Sequence, residues 1–191
     1  EEYAAFYASY DLPKYQALRI NPLKTERDTF LLQAPFSLNR VPWTTNGYYY
    51  SGNDQPGRHP YHEAGVYYIQ EPSAMAPAEY LMAEPGERIL DLCAAPGGKS
   101  TQIACSMQGE GLIVCNEIHP ARAKILSENI ERMGVCNALV TNETPQKLSD
   151  NFREYFDRIL VDAPCSGEGM FRKNEDACDE WSPENVVNCA A

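Results

Sequence analysis

The stretch that most restricts how this chain can fold spans residues 88–104, RILDLCAAPGGKSTQIA. Apolar residues lead to an acid at Asp91, small residues and a Pro-Gly-Gly triplet follow, and the residues from Ser100 onward are typical of a helix start. This pattern predicts a strand, a glycine turn and a helix. Such a turn presents unpaired backbone N–H groups at a positively polarised helix N-terminus, which suits the carboxylate, phosphate or ribose end of a nucleotide-like ligand.

Two familiar nucleotide-binding loops fit this stretch poorly. The dinucleotide fingerprint requires G-x-G-x-x-G, and the nucleoside-triphosphate loop requires G-x-x-x-x-G-K-[ST]. Here alanines occupy positions 94 and 95, where the earlier glycine is needed. An ordinary strand-to-helix turn without a ligand is the structural alternative.

The first seventy residues are rich in aromatic side chains and are interrupted by prolines. Residues 18–21 and 30–32 read as short strands. Basic residues lie among the aromatics, at Arg19, Lys24, Arg27 and Arg40. This segment predicts either a surface that stacks unpaired bases or a small α+β core in which the tyrosines pack. A loop at residues 52–57 places the end of this subdomain at residue 62.

A strand at 66–70 and a helix at 73–82 are expected next. After the turn at residues 85–87 strands and helices alternate, which predicts a parallel sheet with helices on both faces. We expect its four strands at 89–92, 111–116, 138–141 and 156–161, and a helix at 120–133. Glu117 lies nineteen residues after Gly98, at the end of a strand, where an acid can accept hydrogen bonds from ribose hydroxyls. The alternative for Glu117 is an exposed carboxylate at the start of the next helix.

The segment from Cys93 to Lys99, CAAPGGK, resembles the cofactor loop of the Nol1/Nop2/Sun family of S-adenosylmethionine-dependent RNA cytosine-5 methyltransferases. The resemblance covers essentially the whole chain and is closest to bacterial members that modify small-subunit rRNA. It implies an α/β fold, with an RNA-contacting α+β subdomain (1–62) before a Rossmann-like methyltransferase domain (63–191) that contains the first four strands. The cofactor-binding residues that it implies for S-adenosyl-L-methionine are Cys93, Ala94, Ala95, Pro96, Gly97, Gly98, Lys99, Glu117 and Asp162.

The segment after the fourth strand, DAPCSGEG at 162–169, is expected to carry the chemistry. Cytosine C5 is a poor nucleophile, so its methylation needs a thiolate that adds at C6, an acid near N3 and a base that removes the C5 proton. Cys165 supplies the thiol and Asp162 faces the N3 and N4 edge of the base. A lone cysteine is more often a small buried apolar residue, which is the structural alternative for Cys165.

The resemblance also implies a second cysteine, because the covalent nucleophile of the family lies in a Ser-Thr-Cys-Thr segment beyond the next strand. In the family the cysteine after proline mainly helps the product to leave. Pro164, Arg172 and Lys173 are the predicted substrate contacts, and the two basic residues have a solvated surface pair as their alternative.

The net charge of −11 at first argues against RNA as a partner, but the acidity is unevenly distributed. Through residue 62 six basic residues balance six acidic ones, so the whole excess lies in the second segment. The seven cysteines form no C-x-x-C pair, and no apolar run approaches the roughly 18 residues that a spanning helix needs. We therefore expect a cytoplasmic protein with neither a metal site nor a membrane segment.

The sequence begins without methionine and contains no Thr-Cys pair. We therefore expect a fragment, truncated at both ends, which forms the cofactor half-site but does not turn over. Two other functions remain open. One is a methyltransferase that acts on a small molecule or a protein, and the other is a non-catalytic RNA-binding or assembly factor that retains the cofactor pocket.

Overall fold

The structure is a computed structural model that describes residues 2–12, 14–165, 167, 171, 179 and 181–190. The chain divides into two compact units, one made of Glu1–Lys14 with Ala163–Ala191 and the other of Tyr15–Asp162. In the first unit, helix α1 (Glu2–Ala8) buries none of its residues, and its aromatic side chains are exposed.

The second unit begins with a four-stranded antiparallel sheet. Its elements in chain order are β1 (Ala17–Ile20), α2 (Arg27–Gln33), β2 (Leu38–Arg40), β3 (Gly47–Tyr50), α3 (Pro60–Glu63) and β4 (Tyr67–Ile69). The strand order is β2-β3-β1-β4. Tyr48 and Tyr67 are buried in an apolar cluster with Leu18, Ile20 and Phe30, so these two tyrosines pack in a core, as one of the two alternatives predicted.

One sequence-based prediction for this part of the chain needs correction. Residues 30–32 form part of helix α2 and not a strand: Phe30 is buried while Leu32 is 89% exposed, because the helix turns only one side toward the core. The strand predicted at 66–70 is confirmed as β4, which pairs antiparallel with β1. The antiparallel sheet therefore extends beyond residue 62.

The remainder of the second unit alternates helices and strands. The elements are α4 (Ala76–Leu81), β5 (Arg88–Asp91), α5 (Gly98–Met107), β6 (Leu112–Asn116), α6 (Pro120–Met133), β7 (Ala138–Thr141), α7 (Pro145–Asn151) and β8 (Arg158–Leu160). The four strands are parallel in the order β7-β6-β5-β8, so the predicted parallel sheet is confirmed. In the first unit, α8 (Pro183–Ala190) is the last described helix.

Helices cover both faces of the parallel sheet. On one face Ile103 of α5 and Leu126 of α6 are fully buried against strand residues such as Ile113. On the other face Leu148 of α7 packs on Leu90. This layering brings the carboxyl ends of the parallel strands to one edge, where ligands of such sheets bind.

Candidate cofactor and active site

The glycine turn joins β5 to α5 at the carboxyl edge of the sheet. Gly97 lies immediately before the helix in a left-handed conformation with φ of +110°, and a Cβ there would lie 3.2 Å from Leu126 Cδ1. Glycine is needed at this position because other residues rarely adopt that conformation. Helix α5 therefore begins at Gly98, two residues before the predicted start.

Small buried residues form the body of the turn. Ala94 and Ala95 are buried, and the Ala94 N–H donates to the Asn116 carbonyl of β6 at 2.8 Å. Pro96 is exposed. The turn is thus hydrogen-bonded to the neighbouring strand through Ala94. Because the two alanine side chains are small, a ligand can approach the backbone of the turn closely.

Asp91, at the end of β5, is a buried carboxyl beside this turn. Its Oδ2 accepts a hydrogen bond from Ser100 Oγ at 2.7 Å, whereas Oδ1 has no partner among the described residues. Burial raises the pKa of Asp91 to about 6. Asp91 is absent from the predicted site residues, although its place as the acid that ends the central strand, at the ligand-binding edge, is a signal that the sequence contains.

Glu117 directly follows β6 and is buried, with 2% exposure, so the alternative of an exposed carboxylate is wrong. Its Oε1 accepts from the His119 N–H at 3.0 Å, and its Oε2 lies 3.2 Å from Arg122 Nη1. Arg122 in turn donates to the Ala95 carbonyl at 2.9 Å. Glu117 is thus linked through Arg122 to the glycine turn.

Lys99 and Asp162 come together at the same edge, with 2.5 Å between Lys99 Nζ and Asp162 Oδ2. The pKa of Cys93 is raised by its burial and, secondarily, by the negative charges of Asp91, Glu117 and Asp162. The structure therefore gathers the predicted residues 93–99, Glu117 and Asp162 around one edge of the sheet, together with Asp91.

The predicted residues beyond Asp162 are described only in part. Pro164 and Cys165 are exposed, so Cys165 is not the buried apolar residue of the structural alternative. Arg172 and Lys173 lie outside the described residues. The catalytic role of Cys165 and the substrate contacts of the other three residues stay predictions.

The basic residues of the first segment do not all lie on the surface. Arg19 is buried, with 2% exposure, and cannot belong to a base-stacking surface. Lys24, Arg27 and Arg40 are exposed, and Arg27 pairs with Asp28 at 3.0 Å. No helix in the described ranges is long and apolar enough to cross a membrane. Those ranges also contain no group of three or more His, Cys, Asp or Glu arranged to hold a metal ion.

Two family models together match almost the whole chain. Residues 78–191 match the family described as 16S rRNA methyltransferase RsmB/F, and residues 1–72 match the N-terminal domain of 16S rRNA methyltransferase RsmF. The ribosomal RNA small subunit methyltransferase F of Escherichia coli O157:H7 is 40% identical over 195 residues, covering 97% of this chain and 41% of the relative. The chain thus spans about two-fifths of the length of the curated relatives that it matches.

Solved structures agree with this fold. A methyltransferase homolog protein from Pyrococcus horikoshii superimposes with a TM-score of 0.78 at 30% identity, covering 90% of this chain and 57% of that one. The crystal structure of PH0851 gives a TM-score of 0.88 at 24% identity, covering 97% of this chain and 43% of that one. At that identity PH0851 supports the fold alone.

Proposed function

Since this chain belongs to the family described as 16S rRNA methyltransferase RsmB/F, we propose that it binds S-adenosyl-L-methionine at the glycine turn. We further propose that the protein methylates C5 of a cytosine in small-subunit rRNA. The observation that carries the proposal is the convergence of Asp91, Glu117 and the Lys99–Asp162 pair around a left-handed glycine at the carboxyl edge of the parallel sheet.

The residues of the turn fit this cofactor. The unpartnered Oδ1 of Asp91 is a buried acceptor, which suits an ammonium or hydroxyl donor of the cofactor. We assign the ribose hydroxyls to Glu117, and its position after the second parallel strand, at the edge where such sheets bind ligands, supports this role. The cofactor supplies a methyl group on a positively charged sulfur, and the acids at this edge provide the negative surroundings that such a charge favours.

The reaction at cytosine needs a covalent step because C5 alone is a poor nucleophile. A cysteine thiolate forms a bond to C6, C5 then takes the methyl group, a base removes the C5 proton, and the C6–S bond breaks. Asp162 faces the N3 and N4 edge of the base, with the Lys99 ammonium fixing its carboxylate. Cys165 acts three residues beyond Asp162, in the attack or, as the family resemblance implies, in the release of the product.

Small-subunit rRNA as the substrate is supported by the names of the relatives, and the acidic excess that argues against RNA lies outside the first 62 residues. As part of the same proposal, we assign the protein to the cytoplasm. Pro164, Arg172 and Lys173 are the residues that we assign to the RNA, in addition to the exposed Lys24 and Arg40 of the first segment.

The test separates cofactor binding from methyl transfer in the full-length protein. Asp162→Asn should leave the affinity for S-adenosyl-L-methionine within about threefold and lower the transfer of radiolabelled methyl to 16S rRNA at least about a hundredfold. The matched control is Asp157→Asn, which removes a carboxylate at the opposite end of the same strand, where Asp157 Oδ2 lies 3.5 Å from Arg88 Nε. This control should change neither quantity.

Equal losses of binding and transfer in Asp162→Asn would contradict the assignment of Asp162 to the base. A full-length wild-type protein that binds cofactor and rRNA but transfers no methyl group would instead favour the non-catalytic assembly factor. Transfer to a small molecule or a protein in place of rRNA would refute the proposed substrate.

A further inference from the structure

Arg19 is a buried cation in the contact between the antiparallel sheet and helix α5, within the second unit. One guanidinium nitrogen, Nη1, donates to the Gly98 carbonyl at 2.6 Å and also contacts the Gln70 side-chain oxygen. The other, Nη2, donates to Thr101 Oγ1 at 2.8 Å. Nη1 also lies 3.3 Å from Gln102 Oε1, so the four acceptors are all neutral and three of them belong to the first two turns of α5.

Packing alone does not explain an arginine in this place. Burial lowers the pKa of Arg19, since a charge removed from water is destabilised, yet arginine remains charged in proteins. Burying a charge without a carboxylate partner is costly, and an apolar residue of similar volume often serves stability better. The distinctive property of the guanidinium is its planar fork of donors, and here the fork is directed at the turn.

The hydrogen bonds of Arg19 reach two consecutive carbonyls of the glycine turn. The Gly98 carbonyl accepts directly, while Thr101 Oγ1, which accepts from Arg19, itself donates to the Gly97 carbonyl at 2.7 Å. Because a peptide unit is planar and trans, fixing a carbonyl also fixes the N–H of the following residue on the opposite side. Arg19 thereby orients the N–H groups of Gly98 and Lys99.

Those N–H groups belong to the first turn of α5, where backbone donors have no partner within the helix. They are the donors that a helix N-terminus offers to a ligand. We propose that Arg19 is a positioning residue for the cofactor: from the antiparallel sheet it holds the glycine turn in its binding conformation. This inference rests on the proposed binding of S-adenosyl-L-methionine. It gives the first 62 residues a role in cofactor binding that does not depend on RNA.

Asn21 provides a matched control because it lies at the end of the same strand and joins the antiparallel sheet to α6. Its Nδ2 donates to the carbonyls of Gly65 and Met133, both at 2.8 Å, and its Oδ1 lies 3.4 Å from Cys105 Sγ near the C-terminal end of α5, so its hydrogen bonds do not reach the glycine turn. Removing either side chain should therefore weaken the contact between the sheet and the helices. Removing Arg19 alone should release the turn.

The experiment measures S-adenosyl-L-methionine affinity by calorimetry and the unfolding temperature of the 191-residue chain. Arg19→Met should weaken cofactor binding at least about tenfold, and Arg19→Lys should recover part of the loss because an ammonium can still donate to the Gly98 carbonyl. Asn21→Ala should lower the unfolding temperature yet keep the affinity within about twofold. Amide hydrogen exchange at Gly97 and Thr101, whose N–H groups donate to the carbonyls of Ala94 and Gly97, should accelerate in Arg19→Met and not in Asn21→Ala.

Several outcomes would overturn the proposal. Wild-type affinity in Arg19→Met would do so, and so would equal losses of affinity in Arg19→Met and Asn21→Ala, because the effect would then follow stability alone. If Arg19→Met does not fold, Thr101→Val removes only the relay to Gly97 while keeping the volume, and it should also weaken binding; unchanged binding would refute the relay. If the wild-type chain binds no cofactor, the proposed function fails, whereas the exchange rates at Gly97 and Thr101 still decide whether Arg19 holds the turn.

Discussion

The buried carboxyl of Asp91 should make the stability of the protein depend on pH in a direction that is unusual for an aspartate. Burial raises its pKa from the ordinary 3.8 to about 6. The folded state therefore binds this proton more tightly than the unfolded state does, so the free energy of unfolding falls as pH rises from about 4 to about 6 and then levels off. A rise of about two units in pKa corresponds to about 3 kcal/mol.

The assay is urea unfolding of the wild-type chain and of Asp91→Asn at a series of pH values from about 4 to about 8. The asparagine cannot ionise, so the difference in unfolding free energy, variant minus wild type, should rise by about 3 kcal/mol across the lower half of that range. Contributions from groups that titrate alike in both proteins cancel. The buried amide of the variant adds an offset that does not change with pH.

Asp157→Asn is the control, because its effect on the unfolding free energy should depend on pH in the opposite direction. Hydrogen bonds from the backbone N–H and the guanidinium of Arg88 hold the pKa of Asp157 below its usual value, so its contribution to stability is lost as pH falls. Its variant-minus-wild-type difference should therefore decrease as pH rises. A difference for Asp91→Asn that is flat with pH, or that follows the sign of Asp157→Asn, would refute the reasoning. Saturating S-adenosyl-L-methionine should reduce the rise, because a donor at Oδ1 stabilises the carboxylate.

Two further predictions concern the cofactor and the fold. Glu117→Gln should weaken S-adenosyl-L-methionine binding by about tenfold in calorimetry, because a neutral amide accepts more weakly from ribose hydroxyls; unchanged affinity would remove Glu117 from the site. Gly111→Ala should lower the free energy of unfolding by about 3 kcal/mol in urea, since its φ is +78° and a Cβ would lie 2.2 Å from the Glu87 carbonyl oxygen. Gly86→Ala, with φ of +87° and nothing within 4 Å, should cost only about 1 kcal/mol, and equal losses would contradict the steric argument.

Much of the parallel sheet could be predicted because local signals and tertiary structure agree there. Helix α6 begins at Pro120 and ends at Met133 as predicted, since proline fits its first turn and Gly134 adopts the left-handed conformation that terminates it. Residues 30–32 were predicted wrongly as a strand because a run of three apolar residues does not distinguish a strand from one side of a helix.

The candidate site likewise contains some residues that could be predicted from the sequence and others that could not. The glycine turn is visible in the sequence because its backbone conformation requires glycine at position 97. Arg19 and Asp91 are not visible as buried charges, since burial depends on segments distant in the chain: the guanidinium of Arg19 contacts Thr101, eighty-two residues away. In the sequence Arg19 lies among aromatic and basic residues, a pattern that is typical of an RNA-binding surface.

The contacts of Arg19 have a consequence for exchanging domains between relatives. The N-terminal match, residues 1–72, contains Arg19 and Gln70, whereas the second match, residues 78–191, contains Thr101 and Gln102, which complete the same hydrogen-bonded group. A chimera that replaces the first domain retains this group only if the incoming strand carries an arginine in the same register and a partner at position 70. The two domains are thus expected to be inherited as a matched pair, and substitutions on either side of the contact should be accompanied by compensating changes on the other.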